Sequence, residues 1–298
     1  ILLCLWTMLH LNLPAPDDTM WTNLRDKAGW MLFGLFFPEL IVCFAYAQWR
    51  SALESVKDMK SQGITSEDWT IVHAFYADMG GFRIKPLDFG PFPATAKQLH
   101  SLVRSGDICL PTIQEREIAD RSKGNWVIKG LAAWQVAGAI IAMCIRWSRR
   151  LAVTPIEIIT AMNGICALVT IGLWWKKPLD VETAITIPLP VRINDLLRRS
   201  GPAAARPWIE TPLDFAERDI YMTQKWSKWS RELTINMGIQ SRPLKRLPND
   251  RDFRPKNLRH NLLLAFPVTL FGAVNIYSGF AFTFPTPTEQ KAWIILSI

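Results

Sequence analysis

One acidic side chain, Glu39, lies deep in an apolar part of the sequence and is the first candidate for chemistry. It follows Pro38 near the centre of the apolar run at residues 28–47. An ionised carboxylate in a membrane-spanning run costs about 3 kcal/mol or more unless it is paired or hydrated. Proline also leaves the carbonyl of Gly34 without its regular amide partner. Glu39 can therefore donate to that carbonyl as a protonated carboxyl, which we favour, or mark a polar path.

His73 and Asp78 also have the side chains that acid–base chemistry needs. They are five residues apart, whereas residues on one helix face are three or four apart, so the two do not share a face. We therefore interpret His73 as a packing residue with one satisfied nitrogen. The sequence contains no acidic pair, histidine cluster, nucleophile motif or phosphate-binding loop, and its five cysteines form no CxxC pair. It predicts no catalytic residue, no cofactor-binding residue and no metal site.

Two long apolar runs, at residues 130–147 and 151–175, supply elements that could hold such side chains in place. Each is close to the ~20 residues that a helix needs to cross a hydrocarbon core of about 30 Å. The basic turn between them is so short that the two helices must pack antiparallel. Thr154, Pro155 and Glu157 predict a helix start, with Thr154 as the cap and Glu157 closing a capping box.

Further apolar runs predict a multi-pass membrane protein. Residues 1–11 are interpreted as the second half of one span, and residues 28–47 and 261–284 as complete spans. The predicted fold class is all-α, a multi-pass transmembrane helical bundle with two long polar, partly helical loop segments. Five divisions are predicted along the chain. A partial first span and a second transmembrane helix occupy 1–47, an extramembrane helical segment 48–129, and a transmembrane hairpin 130–175. A basic proline-rich extramembrane segment with an amphipathic helix occupies 176–260, and a last span followed by a truncated one occupies 261–298.

Small and polar side chains inside the predicted spans indicate how the helices meet. Gly138 and Ala142 are four residues apart, and small residues at that spacing let two helix backbones approach closely. We expect both to face a neighbouring helix. If the protein encloses a polar path, its lining is predicted to come from Glu39, Gln135, Asn163 and Asn275.

The segment at 176–260 carries most of the net positive charge. It contains seventeen Lys and Arg against ten Asp and Glu, whereas the whole chain has a net charge of +8. A capping pattern at Thr211 predicts an amphipathic helix that runs to Leu233, with basic side chains beside a tryptophan stripe. Such a helix fits a membrane surface with anionic lipid headgroups, although packing against the protein's own polar segments explains it nearly as well. No recognition motif supports nucleic-acid binding, and the residues expected at the membrane surface are Trp226, Trp229, Lys225 and Lys228.

The charges of the loops predict an orientation. The short loops at 14–27, 148–153 and 285–291 are expected on one side of the membrane and the two long polar segments on the other. Arg25, Lys27, Arg149 and Arg150 favour the cytosol for the short loops. The long segments have more Lys and Arg near the span ends, which favours the cytosol for them instead, and we prefer this second orientation. The chain starts and ends inside apolar runs, so we expect a longer protein. Neither the organelle nor the oligomeric state is predicted.

Four motifs follow one another along residues 1–182. They are LWT with HLNLP at 5–14, PEL at 38–40, HAFYADMGGF at 73–82 and WWKKPLDV at 174–181. In these motifs the chain resembles a large family of fungal multi-pass integral membrane proteins whose activity is not established. The resemblance implies a membrane location, a similar topology and a longer chain at both ends. It implies no catalytic residue.

Two classes of function remain open. The favoured class is a non-enzymatic membrane protein, a transporter-like or scaffolding bundle, whose partner is the lipid bilayer. The alternative is a membrane-embedded enzyme that acts on a lipid or isoprenoid through Glu39 or the region of His73 and Asp78. The sequence lacks convergent catalytic groups, which counts against the enzyme. It also lacks visible inverted repeats, which would have favoured a transporter.

Overall fold

The structure of the chain is a computed structural model that describes all but several stretches. The residues outside the description are 1, 66, 123–125, 150, 152–153, 205–207, 209, 217–219, 222–242, 253–257, 283, 285 and 297–298. The described part is mostly helical. Its α-helices are α1 (Leu2–Met8), α2 (Met20–Phe36), α3 (Pro38–Ser61), α4 (Ile71–Asp78), α5 (Ala96–Arg104), α6 (Glu115–Arg121), α7 (Trp126–Ser148), α8 (Pro155–Leu173), α9 (Ile193–Arg199), α10 (Leu258–Ala281) and α11 (Pro287–Leu296). Its strands are β1 (Phe82–Lys85), β2 (Phe92–Pro93), β3 (Ile185–Pro188), β4 (Ile220–Tyr221) and β5 (Arg251–Asp252).

Helices α2 and α3 meet at a sharp bend, where the sequence analysis expects one helix over residues 28–47. The two axes are bent by 112°, and Phe37 between them has φ −132° and ψ 57°. Pro38 is the first residue of α3. Its ring keeps the residue before it out of the helical conformation, and its missing N–H cannot continue the hydrogen bonds of α2. The span expected at 28–47 is therefore broken into two helices at Pro38, and Glu39 lies in the first turn of the second helix.

Both arms of this α2–α3 hairpin lead back to the same end of α8. On α2, the ammonium group of Lys27 lies 2.6 Å from the carboxylate of Asp180. On α3, the side-chain carbonyl of Gln48 accepts a hydrogen bond of 2.7 Å from Lys177. Asp180 and Lys177 both follow the last turn of α8. Helix α3 packs along α8, whereas α2 packs on α1 and α3, and the chain reverses at Phe37 between them.

The loop before α2 contacts the second long polar segment. Arg246 lies 3.4 Å from the carboxylate of Asp18 and 2.6 Å from that of Asp26. The side chain of Asn12 donates a hydrogen bond of 2.8 Å to the carbonyl of Pro248. The structure thus places the loop at 14–27 in contact with the second long polar segment, whereas the sequence analysis expects the two on opposite sides of a membrane.

Helices α7 and α8 form an antiparallel pair, as the sequence predicts. At one end Arg146 of α7 pairs with Glu157 in the first turn of α8. At the other end Lys129 of α7 lies 3.5 Å from the carbonyl oxygen of Trp174, which follows α8. The predicted capping box is confirmed, because the hydroxyl of Thr154 accepts the amide of Glu157 and the Glu157 carboxylate accepts the amide of Thr154.

The close approach between α7 and α8 occurs at a different glycine from the one that the sequence analysis favours. A Cβ atom on Gly164 of α8 would lie 2.8 Å from the side chain of Val136 on α7. A Cβ atom on Gly138 would have no atom within 4 Å, and both Gly138 and Ala142 are exposed. Within this chain the expectation for Gly138 is wrong. The spacing of small residues shows where two helices could approach closely, but it does not show which helix has its small residue at the contact.

Three described helices are long and apolar enough to cross a membrane. They are the stretches Lys129–Ser148, Pro155–Leu173 and Asn261–Ala281. The bent pair α2 and α3 would make a fourth only if it counted as one span. Helix α3 packs against α8 and α10 on one side and against α4 and α5 on the other. It therefore joins the long apolar helices to the remaining, shorter elements.

A small sheet lies beside α4, and the all-α prediction leaves it out. Strand β1 pairs antiparallel with β2 and parallel with β3. These strands have two to four residues, which is too short for an alternating pattern to identify them. The main core of buried apolar side chains extends from α1 through α3 and α4 to this sheet and to α5 and α6.

The motif HAFYADMGGF forms helix α4, a glycine turn and the start of β1. Phe75 and Tyr76 are almost fully buried on α4. Gly80 has φ +85°, a left-handed conformation that favours glycine. Gly81 lies flat against the ring of Tyr76, so that a Cβ atom there would come within 2.5 Å of three ring atoms. The Tyr76 hydroxyl donates a 2.8 Å hydrogen bond to the carbonyl of Thr183, just before β3.

The amphipathic helix expected from Thr211 to Leu233 does not begin where the capping pattern predicts. Residues 212–216 form turns, and β4 follows and pairs antiparallel with β5. The carboxylate of Asp214 accepts the backbone amides of Glu210 and Thr211. These local bonds close a turn with the same residue types that start a helix, which is why the pattern misleads. The remainder of the expected helix, from residue 222 onward, lies outside the described residues.

We expect Gly81→Ala to destabilise the protein, because the added methyl group must displace the buried ring of Tyr76. Overpacking of this kind typically costs about 1–3 kcal/mol. The matched control is Gly90→Ala, since Gly90 is exposed and a Cβ atom there meets nothing within 4 Å. Thermal unfolding of the purified protein measures the difference. Equal melting temperatures for the two variants would contradict this packing.

Candidate functional site

The bend between α2 and α3 places a buried carboxyl group, that of Glu39, at the start of α3. Glu39 is 8% exposed, and its Oε2 has no hydrogen-bond partner in the described part of the chain. The regular partner of the Gly34 carbonyl would be the amide of residue 38, which is a proline and has no N–H. Glu39 is placed in the first turn of α3, where the helix dipole favours a negative charge.

Asn163 of α8 faces the same bend from the neighbouring helix. It is 4% exposed, and its Nδ2 donates to the carbonyl of Leu35, one of the last residues of α2, at 3.5 Å. Its Oδ1 has no hydrogen-bond partner among the described residues. Helix α3, which carries Glu39, packs on α8. We call Gly34, Leu35, Glu39 and Asn163 the bend site.

The other two residues predicted to line a path lie elsewhere. Gln135 is exposed and lines a mostly apolar groove of about 320 Å³ between α1, α7 and α8. Asn275 of α10 is half-buried, and its backbone carbonyl accepts hydrogen bonds from Ser278 and from the ring of Trp293 on α11. Glu39 and Asn163 thus lie at one bend, whereas Gln135 and Asn275 lie on separate surfaces. The residues predicted to lie at the membrane surface, Trp226, Trp229, Lys225 and Lys228, are outside the described part of the chain.

A second polar cluster, centred on Lys177, is buried where α8 ends. The Lys177 ammonium group donates to the backbone carbonyl of His10 at 2.5 Å and to the side chain of Gln48 at 2.7 Å. It also lies 4.6 Å from the centre of the Trp174 ring, which is a cation–π distance. Lys177 is 3% exposed. One side chain therefore ties the end of α8 to the loop after α1 and to the middle of α3.

Lys129 stabilises the end of α8 from the neighbouring helix α7. Its ammonium group lies 3.1 Å from the carbonyl oxygen of Trp175 and 3.3 Å from that of Lys177. The last carbonyl groups of a helix have no partners within the helix and carry a partial negative charge. A buried cation at this position satisfies them. We call Lys129, Lys177, His10, Gln48 and Asp78 the junction cluster.

Asp78 completes the junction cluster from α4. Its carboxylate accepts hydrogen bonds from the Ser51 hydroxyl at 2.9 Å and from the amide of Ala96, the first residue of α5, at 3.0 Å. His73 makes different contacts, since its Nδ1 accepts the amide of Thr70 and its Nε2 donates to a backbone carbonyl. His73 and Asp78 therefore do not act as a pair, as the spacing predicts. Both nitrogens of His73 have partners, one more than the sequence analysis expects.

Burial changes the protonation of the two basic groups that follow α1 and α8. It lowers the pKa of Lys177 from 10.5 to about 7, an effect that the Asp78 carboxylate opposes and the Lys129 cation reinforces. Burial, followed by the charge of Lys129, lowers the pKa of His10 well below 6.5. His10 is neutral at pH 7, and because its Nδ1 lies 2.7 Å from a backbone carbonyl, its single ring hydrogen is on Nδ1. Its Nε2 has no partner within the described chain.

Sequence reasoning selected Glu39 and Asn163 as candidates but missed the junction cluster. Glu39 and Asn163 are visible because they are polar residues inside apolar runs. Lys176 and Lys177 read together as a basic flank beside a membrane, yet only Lys176 is exposed. The partners of Lys177 are 129 and 167 residues away in the sequence. No local pattern distinguishes a buried lysine with such partners from an exposed one.

The described residues contain no group of three or more His, Cys, Asp or Glu side chains arranged to hold a metal ion. The bend site offers one carboxylate and several neutral oxygen atoms. The junction cluster offers two amines and one carboxylate, all of them buried. The bend site is therefore mainly a set of acceptors, whereas the two amines of the junction cluster donate to backbone carbonyls and its carboxylate accepts from Ser51 and Ala96.

One comparison with known proteins gives a match. The model of a family of unknown function, DUF8562, matches residues 1–197. This range contains the bend site, the junction cluster and the four motifs noted in the sequence. No curated protein and no solved structure matches the chain.

We expect the stability of the protein to rise with pH between about 7 and 10.5 because of Lys177. Its pKa is about 7 in the folded state and 10.5 in the reference state, so over this window the unfolded chain binds the proton that the folded chain has lost. The free energy of unfolding then increases with pH by up to about 1.4 kcal/mol per unit, and this contribution is flat below pH 7. Denaturant unfolding at pH 7, 8 and 9 measures the slope.

Two variants isolate that contribution. Lys177→Met should reduce the slope and leave the part above pH 8 that comes from Lys129, because burial lowers the pKa of Lys129 to about 8. Lys60→Met, which removes an exposed lysine at the end of α3, should keep the whole slope. A slope of the same size in Lys177→Met and in the wild type would show that Lys177 does not titrate in this window.

Proposed function

We propose that this chain, which belongs to the family of unknown function DUF8562, is a non-enzymatic multi-pass integral membrane protein of the transporter-like kind. The observation that carries the proposal is the α2–α3 hairpin, whose bend holds buried acceptor oxygens between long apolar helices. A fungal source follows from the resemblance in the sequence alone and stays a prediction. The Trp- and Lys-rich stretch that contains Trp226 and Lys228 is proposed, as before, to lie on an anionic membrane surface.

The outward-facing apolar surface of the long helices supports insertion into a membrane. Only 6% of the apolar window of α7 is buried within the chain, against 39% for α8 and 17% for α10. Large side chains such as Trp134 and Ile141 on α7 and Phe266 on α10 are more than half exposed. A soluble protein rarely exposes so large an apolar surface, whereas lipid chains cover it without cost.

The contacts of the hairpin support a re-entrant topology. Both arms return to the end of α8 that carries Lys177 and Asp180, so the bend lies inside the membrane and the hairpin does not cross it. Helices α7, α8 and α10 would then be the complete crossings in the described chain. The loop at 14–27 and both long polar segments would share one side, with the turn between α7 and α8 on the other.

A broken helix with polar groups inside the membrane favours a transporter-like protein over a passive scaffold. Backbone groups that lack partners are tolerated at such depth only where protein or a water-filled cavity surrounds them. Glu39 lies in the first turn of α3, nine residues before Gln48. The distance between them along the helix axis is therefore about 13 Å, at ~1.5 Å per residue. That depth is close to the middle of a hydrocarbon core of about 30 Å, where transporters bind their substrates and ions.

The membrane-embedded enzyme has one observation in its favour. Lys177 has an amine that titrates near neutral pH, and His10 beside it has a ring nitrogen without a partner among the described residues. Nucleophilic and acid–base catalysis use such groups. Both side chains are almost fully buried, however, and neither lines the groove that contains Gln135. We therefore assign them a structural role at the junction.

The re-entrant topology predicts which positions share a side of the membrane. In a cysteine-free background, we expect Asp17→Cys and Glu67→Cys to be labelled from the same side by a membrane-impermeant maleimide, and Arg149→Cys from the opposite side. Vesicles of both orientations, with lysis as the control for total reactivity, give the measurement. Labelling of Asp17→Cys together with Arg149→Cys would mean that α2 and α3 cross the membrane. Release of the protein by alkaline carbonate would contradict membrane insertion itself.

Water access to the bend separates the transporter-like protein from a scaffold. Cys43 lies one turn after Glu39 on α3 and is half-buried. As the sole cysteine, it should react with a small charged thiosulfonate reagent if an aqueous path leads to the bend. The matched control is Cys144 as the sole cysteine, because it is exposed on α7 towards the proposed lipid. A scaffold would show reaction at Cys43 with an apolar maleimide only.

A further inference from the structure

We propose that the bend site binds one alkali cation, through Glu39 Oε2, Asn163 Oδ1 and the carbonyl oxygen of Gly34. The proposal rests on the transporter-like function and names the ligand of its central site. A polar path requires only polar lining residues, whereas this proposal names the oxygen atoms that bind and the chemical class of the ligand.

Two buried side-chain oxygens without partners indicate a missing ligand. Glu39 and Asn163 are 8% and 4% exposed, and Oε2 of the first and Oδ1 of the second have no hydrogen-bond partner among the described residues. They come from α3 and α8, which pack on each other, and Asn163 already contacts the end of α2 through its Nδ2. A buried polar atom without a partner typically costs about 1–3 kcal/mol. Two such atoms at one break are therefore expected to have a ligand in common.

The chemistry of these atoms selects a cation. The carboxylate and carbonyl oxygens only accept, and the side-chain donor of the site, Asn163 Nδ2, is directed to the carbonyl of Leu35. The last carbonyl groups of α2 add the negative end of its helix dipole, since α2 ends at Phe36 immediately before the break. Burial favours the neutral carboxyl of Glu39, and the first turn of α3 offsets this only in part, so an ionised Glu39 requires a positive partner at this depth.

The number of charges selects a monovalent ion. Calcium sites usually combine several carboxylates, and magnesium retains several waters in a near-octahedral shell. The bend site has one carboxylate, and the described residues contain no group of three ionisable ligands. One negative charge with neutral oxygens around it balances one alkali ion. Unwound backbone carbonyls at a helix break coordinate Na⁺ in the same way in other membrane proteins.

The experiment compares thermal unfolding of the full chain in detergent in NaCl, KCl and N-methyl-D-glucamine chloride at equal ionic strength and pH 8. We expect one of the alkali cations to raise the melting temperature by about 3 °C or more, saturably with its concentration, because a ligand that binds only the folded state stabilises it. Glu39→Gln and Asn163→Leu should lose this increment. The matched controls Glu67→Gln, on an exposed loop, and Gln135→Leu, on the groove, should keep it.

Two results would overturn the proposal. One is an identical melting temperature in all three salts, and the other is an increment that persists in Glu39→Gln. If Glu39→Gln does not fold, equilibrium binding of radioactive Na⁺ and Rb⁺ to the wild-type protein decides, since the proposal requires about one bound ion per chain. Reagent access at Cys43 without any cation effect would leave the transporter-like function standing and remove the cation site.

Discussion

The missing N–H of Pro38 is the constraint on which the arrangement of the long helices depends. A helix that continued through residue 37 would carry Glu39 onward in the direction of α2 and place the following polar residues at the far end. The proline ring and the absent donor instead end α2 at Phe36 and start α3 at a bend of 112°. Because α3 then returns, it can extend for 24 residues and pack on both the apolar helices and α4. The rest of the fold is built on that return.

The junction cluster fixes the position of α3 along its own axis relative to α8 and α4. Gln48 and Ser51 lie one turn apart on α3, and they contact Lys177 and Asp78 respectively. Removing one partner from a buried hydrogen bond typically costs about 1–3 kcal/mol, and more when the group left behind is charged. A shift of α3 along its axis by one turn would break both contacts at once. The cluster therefore specifies the register of α3 against α8 and α4, which packing of apolar surfaces alone would determine less sharply.

Local signals in the sequence were reliable, and signals that depend on distant contacts were not. The capping box at Thr154 and the antiparallel pairing of α7 with α8 follow from residues within one turn or one short loop, and both are confirmed. Pro38 was recognised as a break, but the direction of the chain after it depends on contacts such as the one between Lys27 and Asp180, 153 residues apart. The capping pattern at Thr211 failed for a related reason. The same carboxylate that caps a helix also closes a turn, and only the strand pairing that follows distinguishes the two.

The two polar sites have opposite chemistry and lie about 13 Å apart along α3, which decides how strongly they interact. Two unit charges at that distance interact by only about 1 kcal/mol at an effective dielectric constant of 20. A cation bound beside Glu39 would therefore change the pKa of Lys177 by less than about 1. The junction cluster holds its contacts through short hydrogen bonds to neutral carbonyl groups, which do not depend on that charge. The bend site could thus gain or lose a bound ion while the junction cluster keeps α3, α4 and α8 in place.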